Sequence, residues 1–104
     1  MVTIEHWVDE GVAYLTVVGE IDIANAEQIQ DVGLELLKHD VTMLMLDLTA
    51  VTFIDSTGLG VLVRLRSEAV ASDKMLRIDK LRPQARKLLE VTGLTDWFVV
   101  QPDD

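Results

Sequence analysis

The chain has 104 residues, a 49% hydrophobic fraction, no cysteine and a formal net charge of -9. That size suits one compact domain, residues 1–104, with enough apolar material for a core. The missing cysteines exclude a disulfide scaffold and a thiolate metal site, and the acidity argues against nucleic-acid binding, which needs clustered Lys and Arg.

Two strands are expected first, at 2–8 and 12–18, joined by the hairpin turn Asp9-Glu10-Gly11. In the second, Ala13, Leu15 and Val17 alternate with Tyr14, Thr16 and Val18. Gly19-Glu20-Ile21-Asp22 then reads as a loop with two carboxylates. A helix over 23–38 follows, with Ile23, Ala26, Ile29, Gly33, Leu36 and Leu37 on its inner side. Glu27, Asp31 and Glu35 form a solvated stripe on the other side. Residues 42–48 are a nearly unbroken apolar run, the pattern of a strand buried on both faces.

The string Phe53-Ile54-Asp55-Ser56-Thr57-Gly58-Leu59-Gly60 hands that strand-loop unit over to a second helix, ending near Ala71. Leu59, Leu62, Val63, Ala69 and Val70 carry its apolar spacing. After the turn Ser72-Asp73-Lys74 comes a short strand, Met75-Leu76-Arg77-Ile78. Pro83 suits the first turn of a third helix, with Ala85, Leu88 and Leu89 inward, and Gly93 suits its C-terminal cap. Trp97-Phe98-Val99-Val100 reads as a last strand and Gln101-Pro102-Asp103-Asp104 as a polar tail. The order β-β-α-β-α-β-α-β predicts an α/β fold: a mixed sheet with parallel crossovers and packed helices.

Charge is unevenly spread. Residues 1–55 carry eleven acids and one base, Lys38; residues 56–104 carry seven acids and eight bases. A basic partner surface would be steered to the acidic half. The cysteine-free composition suits a reducing cytoplasm. The first residues lack the pattern of a signal peptide, and no apolar stretch nears the roughly 20 residues that span a bilayer. No metal or cofactor is expected. His6 and His39 stand far apart without a ligand set, and the chain has no G-x-x-x-x-G-K-[ST] loop. Trp7, Tyr14 and Trp97 read as packing residues.

The chemistry concentrates at Ser56. Either Ser56 or Asp55 can cap the following helix. Gly58 and Gly60 are expected to leave its first turn bare, open to close approach by another protein. A phosphate on Ser56 would add about -1.5 to -2 charges at a helix start that favours negative charge. Thr57, Val61, Arg64 and Glu68 line one side of that helix, and Val61 is expected to be exposed as a contact residue. Asp22 and Ser56 both follow strands, so they are expected to share one edge of the sheet. Asp47 is expected to hydrogen-bond its own loop. Neither histidine offers a base for Ser56, so an enzyme is not expected.

Three strings resemble the STAS domain family, most strongly its bacterial anti-sigma factor antagonists: Gly19-Glu20-Ile21-Asp22, Asp47-Leu48-Thr49 through Gly60, and Thr92-Gly93-Leu94. The resemblance implies phosphorylation of Ser56 by an anti-sigma factor that is also a serine kinase. The unphosphorylated form would bind that partner and free a sigma factor; a serine phosphatase would restore it. Glu20, Asp22, Asp55, Thr57, Gly58, Gly60, Val61 and Arg64 are the implied contact set, on a cytoplasmic monomer. Family members often continue into a further helix, which is not expected within these residues. A second reading keeps the fold and makes the chain an unphosphorylated accessory subunit of a membrane lipid-transport complex.

Overall fold

A computed structural model of the protein describes residues 2–100; the expected polar tail at 101–104 and the side chains of Trp97, Val99 and Val100 lie outside the described residues. The chain opens with an antiparallel hairpin, β1 (Val2–Asp9) and β2 (Val12–Ile21). Glu10 and Gly11 form its two-residue loop with φ of 46° and 78°. Two positive φ values define the turn whose twist matches flanking strands, and glycine adopts one of them without strain.

Helix α1 (Ala26–Leu36) leads to β3 (Met43–Asp47), β4 (Val51–Ile54) and helix α2 (Ser56–Ala71). Then come β5 (Met75–Asp79), helix α3 (Pro83–Val91), a 3-10 turn at Thr95–Trp97 and β6 (Val99–Val100). The sheet runs β1-β2-β3-β5-β6, and β4 pairs with β2. Every pairing beyond the hairpin is parallel. The expected order is present with one short strand added. β4 prolongs the line of β3 after a break at 48–50, where Asp47 Oδ1 accepts the Thr49 N–H at 3.1 Å. This is the loop hydrogen bond expected of Asp47.

One face of the sheet is the core. Ala13, Leu15 and Val17 of β2 are fully buried, with Leu44 and Leu46 of β3 and Ile78 of β5. All three helices contribute to the same cluster. Pro83 occupies the first turn of α3 as expected. Gly93, at φ 73°, ends that helix: its N–H donates to Glu90 O and the Leu94 N–H reaches back to Leu89 O at 2.9 Å. That pair of bonds is a Schellman cap, which glycine favours because its φ is positive. Lys74 ties the far end of α1 to the sheet by donating to the carbonyls of Leu37 and His39.

Five expectations are corrected. The last strand holds Val99–Val100 only, because Trp97 belongs to the 3-10 turn before it. β3 is not buried on both faces: its burial alternates, and Met43 and Met45 lie half-buried on the opposite face beside Tyr14. There Trp7 stacks on Tyr14 with ring centroids 5.1 Å apart. Residues 19–21 are strand, because β2 continues through an irregular register to pair Glu20 with Phe53 and Ile21 with Ile54. Helix α1 starts at Ala26, so Ile23 sits in the preceding turn, 79% exposed. Val70 faces solvent at the end of α2.

Helices α1 and α2 cross closely at Gly33. A Cβ there would stand 2.6 Å from Leu65 Cδ2, and Leu65 is fully buried. Leu65→Ala is therefore expected to destabilise the fold by about 2–5 kcal/mol, read from denaturant unfolding.

Candidate functional site

Parallel pairing of β2 with β4 brings two loops together at the carboxyl ends of neighbouring strands. Ile21 and Ile54 are register partners and are both almost fully buried. The chain leaves Ile21 into Asp22 and leaves Ile54 into Asp55. The Asp55 N–H donates to Ile21 O at 3.2 Å, so the loops are joined by backbone. Asp22 and Ser56 thus lie at one edge, as the order of elements predicts.

The turn into α2 divides its work between adjacent residues. Asp55 is the N-cap, with extended backbone, and its Oδ1 accepts the Gly58 N–H at 2.9 Å. Its own carbonyl accepts from Leu59 N at 2.9 Å, closing the first helical turn. Of the two cap candidates in the sequence, the aspartate holds the position. Ser56 is then the first helical residue, exposed beside exposed Thr57. Its hydroxyl stands at the positive end of a 16-residue helix.

Two expected contact residues are corrected by their burial. Gly58 is not a bare surface. A Cβ there would come 2.7 Å from both Ile21 Cγ2 and Ile54 Cγ1, so this glycine lets α2 sit directly on the strand ends. Val61 is 5% exposed and belongs to the core. Helix α2 packs against α1 as well as the sheet, and two packing partners widen its buried arc beyond one stripe. Gly60 is exposed, and a Cβ there meets nothing within 4 Å. Arg64 is exposed two turns on and pairs with Glu68 at 3.4 Å.

The acidic loop beside Ser56 is built by a residue that sequence reasoning passed over. Asn25 is the buried polar side chain of the core boundary. Its Oδ1 accepts the Asp22 N–H at 3.1 Å and its Nδ2 donates to Glu20 O at 2.8 Å. Asp22 Oδ1 accepts from Ala24 N at 3.0 Å. These bonds fix the loop while the Glu20 side chain stays exposed. Exposed Ile23 and Phe53 add apolar surface next to the carboxylates. The sequence signal for Asn25 was its place three residues after Asp22, just ahead of the helix.

A second overlooked side chain is Gln84 of α3. Its Oε1 accepts the Ile54 N–H at 2.9 Å and its Nε2 donates to Ile54 O at 3.0 Å. Its signal lies in tertiary placement, since 30 residues separate the partners. Elsewhere, His6 and His39 line one cleft with Asp31, Val32, Glu35 and Leu36. Among the described residues no group of His, Asp or Glu is arranged to hold a metal ion.

Stability measurements separate these roles. Asp55→Ala is expected to cost about 1 kcal/mol as a lost cap, whereas Ser56→Ala stays within about 0.5 kcal/mol of wild type. Gly58→Ala should destabilise by about 1–3 kcal/mol through overpacking. Gly60→Ala should stabilise by about 0.5–1 kcal/mol through helix propensity. Urea unfolding of the four variants reads all of these, and opposite signs at the two glycines are the diagnostic result.

Residues 3–103 match the family model for the STAS domain. The anti-sigma-B factor antagonist of Listeria monocytogenes is 36% identical over 81 residues, covering 77% of this chain and 70% of that protein. The protein of the same name from Staphylococcus aureus is 30% identical over 78 residues, covering 75% and 72% respectively. The crystal structure of an anti-sigma factor antagonist from Mycobacterium paratuberculosis matches with a TM-score of 0.87 at 26% identity, over 99% of this chain and 87% of that one. Fold, motif strings and comparisons agree: the chain belongs to the STAS domain family.

Proposed function

We propose that this protein is an anti-sigma factor antagonist, a binding module and not an enzyme. The unphosphorylated form binds an anti-sigma factor that is also a serine kinase and so releases a sigma factor. Phosphorylation on Ser56 ends that binding, and a serine phosphatase reverses it. The names borne by the Listeria and Staphylococcus relatives support the antagonist role.

The observation that carries the switch is the division of labour at the start of α2. Asp55 makes the cap, which leaves the Ser56 hydroxyl exposed and dispensable to the fold. The helix dipole offsets only roughly +0.5 of an added phosphate charge. The remainder falls beside Asp55 and the Glu20–Asp22 loop, in the acidic half of the chain. The domain stays folded while the surface offered to a partner changes sign balance and shape.

The binding surface on this reading comprises Glu20, Asp22, Ser56, Thr57, Gly60 and Arg64, with Ile23 and Phe53 as apolar contacts. Gly58 and Asp55 support it from beneath. A basic patch on the partner is attracted to the carboxylates, and an acidic partner group facing Ser56 is repelled by its phosphate but not by the unmodified serine. The protein acts as a monomer in the cytoplasm. No helix of the described residues is long and apolar enough to cross a membrane.

Intact-mass measurement with fragment mapping, on protein taken from its native cells under several growth conditions, tests this reading. The expected result is one phosphate on Ser56 whose fraction varies with condition. Ser56→Ala should remain bound to the kinase partner in pull-downs, and Ser56→Asp should bind at least tenfold more weakly. A chain never modified and recovered with a transporter ATPase would replace this reading with the transport-subunit one.

A further inference from the structure

We infer that Gln84 is a positioning residue for the switch turn, on the reading that Ser56 is the phosphoryl acceptor. Among the described residues β4 is paired on one side only, with β2. β5 runs alongside β3, and its neighbour register ends at Asp79 opposite Asp47. Ile54, the last residue of β4, is 2% exposed and would have no strand beyond it to satisfy its backbone. Buried backbone groups require partners. Gln84 supplies both, one acceptor to the N–H at 2.9 Å and one donor to the carbonyl at 3.0 Å. A primary amide is the side-chain group that mimics a strand neighbour in this way.

The position of that clamp matters more than its existence. Ile54 immediately precedes Asp55, and Asp55 is held on its other flank by Ile21 O. The turn is therefore gripped from β2 on one side and from the first turn of α3 on the other. With Ile54 held, the Asp55 carboxylate reaches Gly58 N, and Ser56 is left to face solvent. The transfer this serves forms a bond between Ser56 Oγ and the terminal phosphorus of a nucleoside triphosphate held by the kinase. It breaks the bond to the departing diphosphate and releases the hydroxyl proton to a base. Gln84 touches none of those atoms; it sets where Oγ stands, and a preformed turn removes an ordering cost from the encounter.

The test uses Gln84→Met, which keeps side-chain length and removes both hydrogen bonds, and Gln84→Glu, which at neutral pH keeps only the acceptor. Amide hydrogen exchange and amide chemical shifts are measured on the full chain. In Gln84→Met the Ile54 amide should exchange at least tenfold faster, with Leu44 and Leu46 of β3 unchanged. The Gly58 amide shift should move toward its value in Asp55→Ala, because the cap loosens. Gln84→Glu should restore slow exchange at Ile54 while the Gly58 shift still moves, because the donor to Ile54 O is gone; if the Met variant does not fold, an unmoved Gly58 shift in Gln84→Glu overturns the inference. Mass mapping in native cells should then show the Ser56 phosphate fraction lowered several-fold in Gln84→Met.

Unaltered Ile54 exchange and Gly58 shift in Gln84→Met would overturn the inference. So would a displaced turn that is phosphorylated as well as wild type. If wild-type protein never carries phosphate, the switch reading fails, and the Ile54 and Gly58 signals still decide whether Gln84 positions the turn.

Discussion

The seating of α2 on the paired ends of β2 and β4 is the constraint on which the rest of this structure depends. Ile21 and Ile54 meet in register, and the first turn of α2 rests on both. Only a residue without a Cβ fits between them, so Gly58 sets the height of the helix above the sheet. From that height follow the closure of the Asp55 cap, the depth of Leu59, Leu62 and Leu65 in the core, and the close crossing of α1 at Gly33. Close packing allows little adjustment elsewhere, because interiors have few voids to absorb a shift.

On the proposed reading, that rigid seat bears on regulation. A residue that carries a modification must be free of structural duty, or the modification would unfold what it is meant to change. Here the duty falls on Asp55 and Gly58, and Ser56 between them has none in the cap. The neighbouring acidic loop is likewise held by a third party, Asn25, and the Glu20 side chain faces outward. Two exposed chemical groups on braced backbone give a surface whose charge can change while its shape beneath does not. The helix dipole tolerates an anion at this point, and the surrounding carboxylates make the same anion repulsive to an approaching acidic group.

Much of this was legible in the chain. Alternation at Ala13, Leu15 and Val17 marked a half-buried strand, and Pro83 and Gly93 bracketed the last helix by their own backbone preferences. Asp9-Glu10-Gly11 marked the hairpin. The string around Ser56 marked the transition from strand to helix, and the element order implied a shared edge for Asp22 and Ser56. A helical wheel with one packing partner puts Val61 on an exposed stripe, and α2 has two, which bury it. The apolar spacing extends the helix back to Ile23, yet Asn25 spends its side chain on Asp22 and Glu20 and the helix starts later. The unbroken apolar run at 42–48 resembles a strand buried on both faces, although apolar residues such as Met43 and Met45 also serve on a half-covered sheet face.

By itself the sequence determined the local matters: which segments are strands or helices, where turns fall, which hydroxyl stands beside a carboxylate at a helix start. These depend on side-chain and backbone preferences within a few residues, so a linear string contains them. Only the tertiary structure decided which groups meet across long separations. Gly58 became a packing residue because Ile21, 37 positions earlier, lies against it. Gln84 became a neighbour of the Asp55–Ser56 turn because α3 returns to the open edge of β4. Such meetings are set by how layers stack and how strands pair, and no local propensity encodes them.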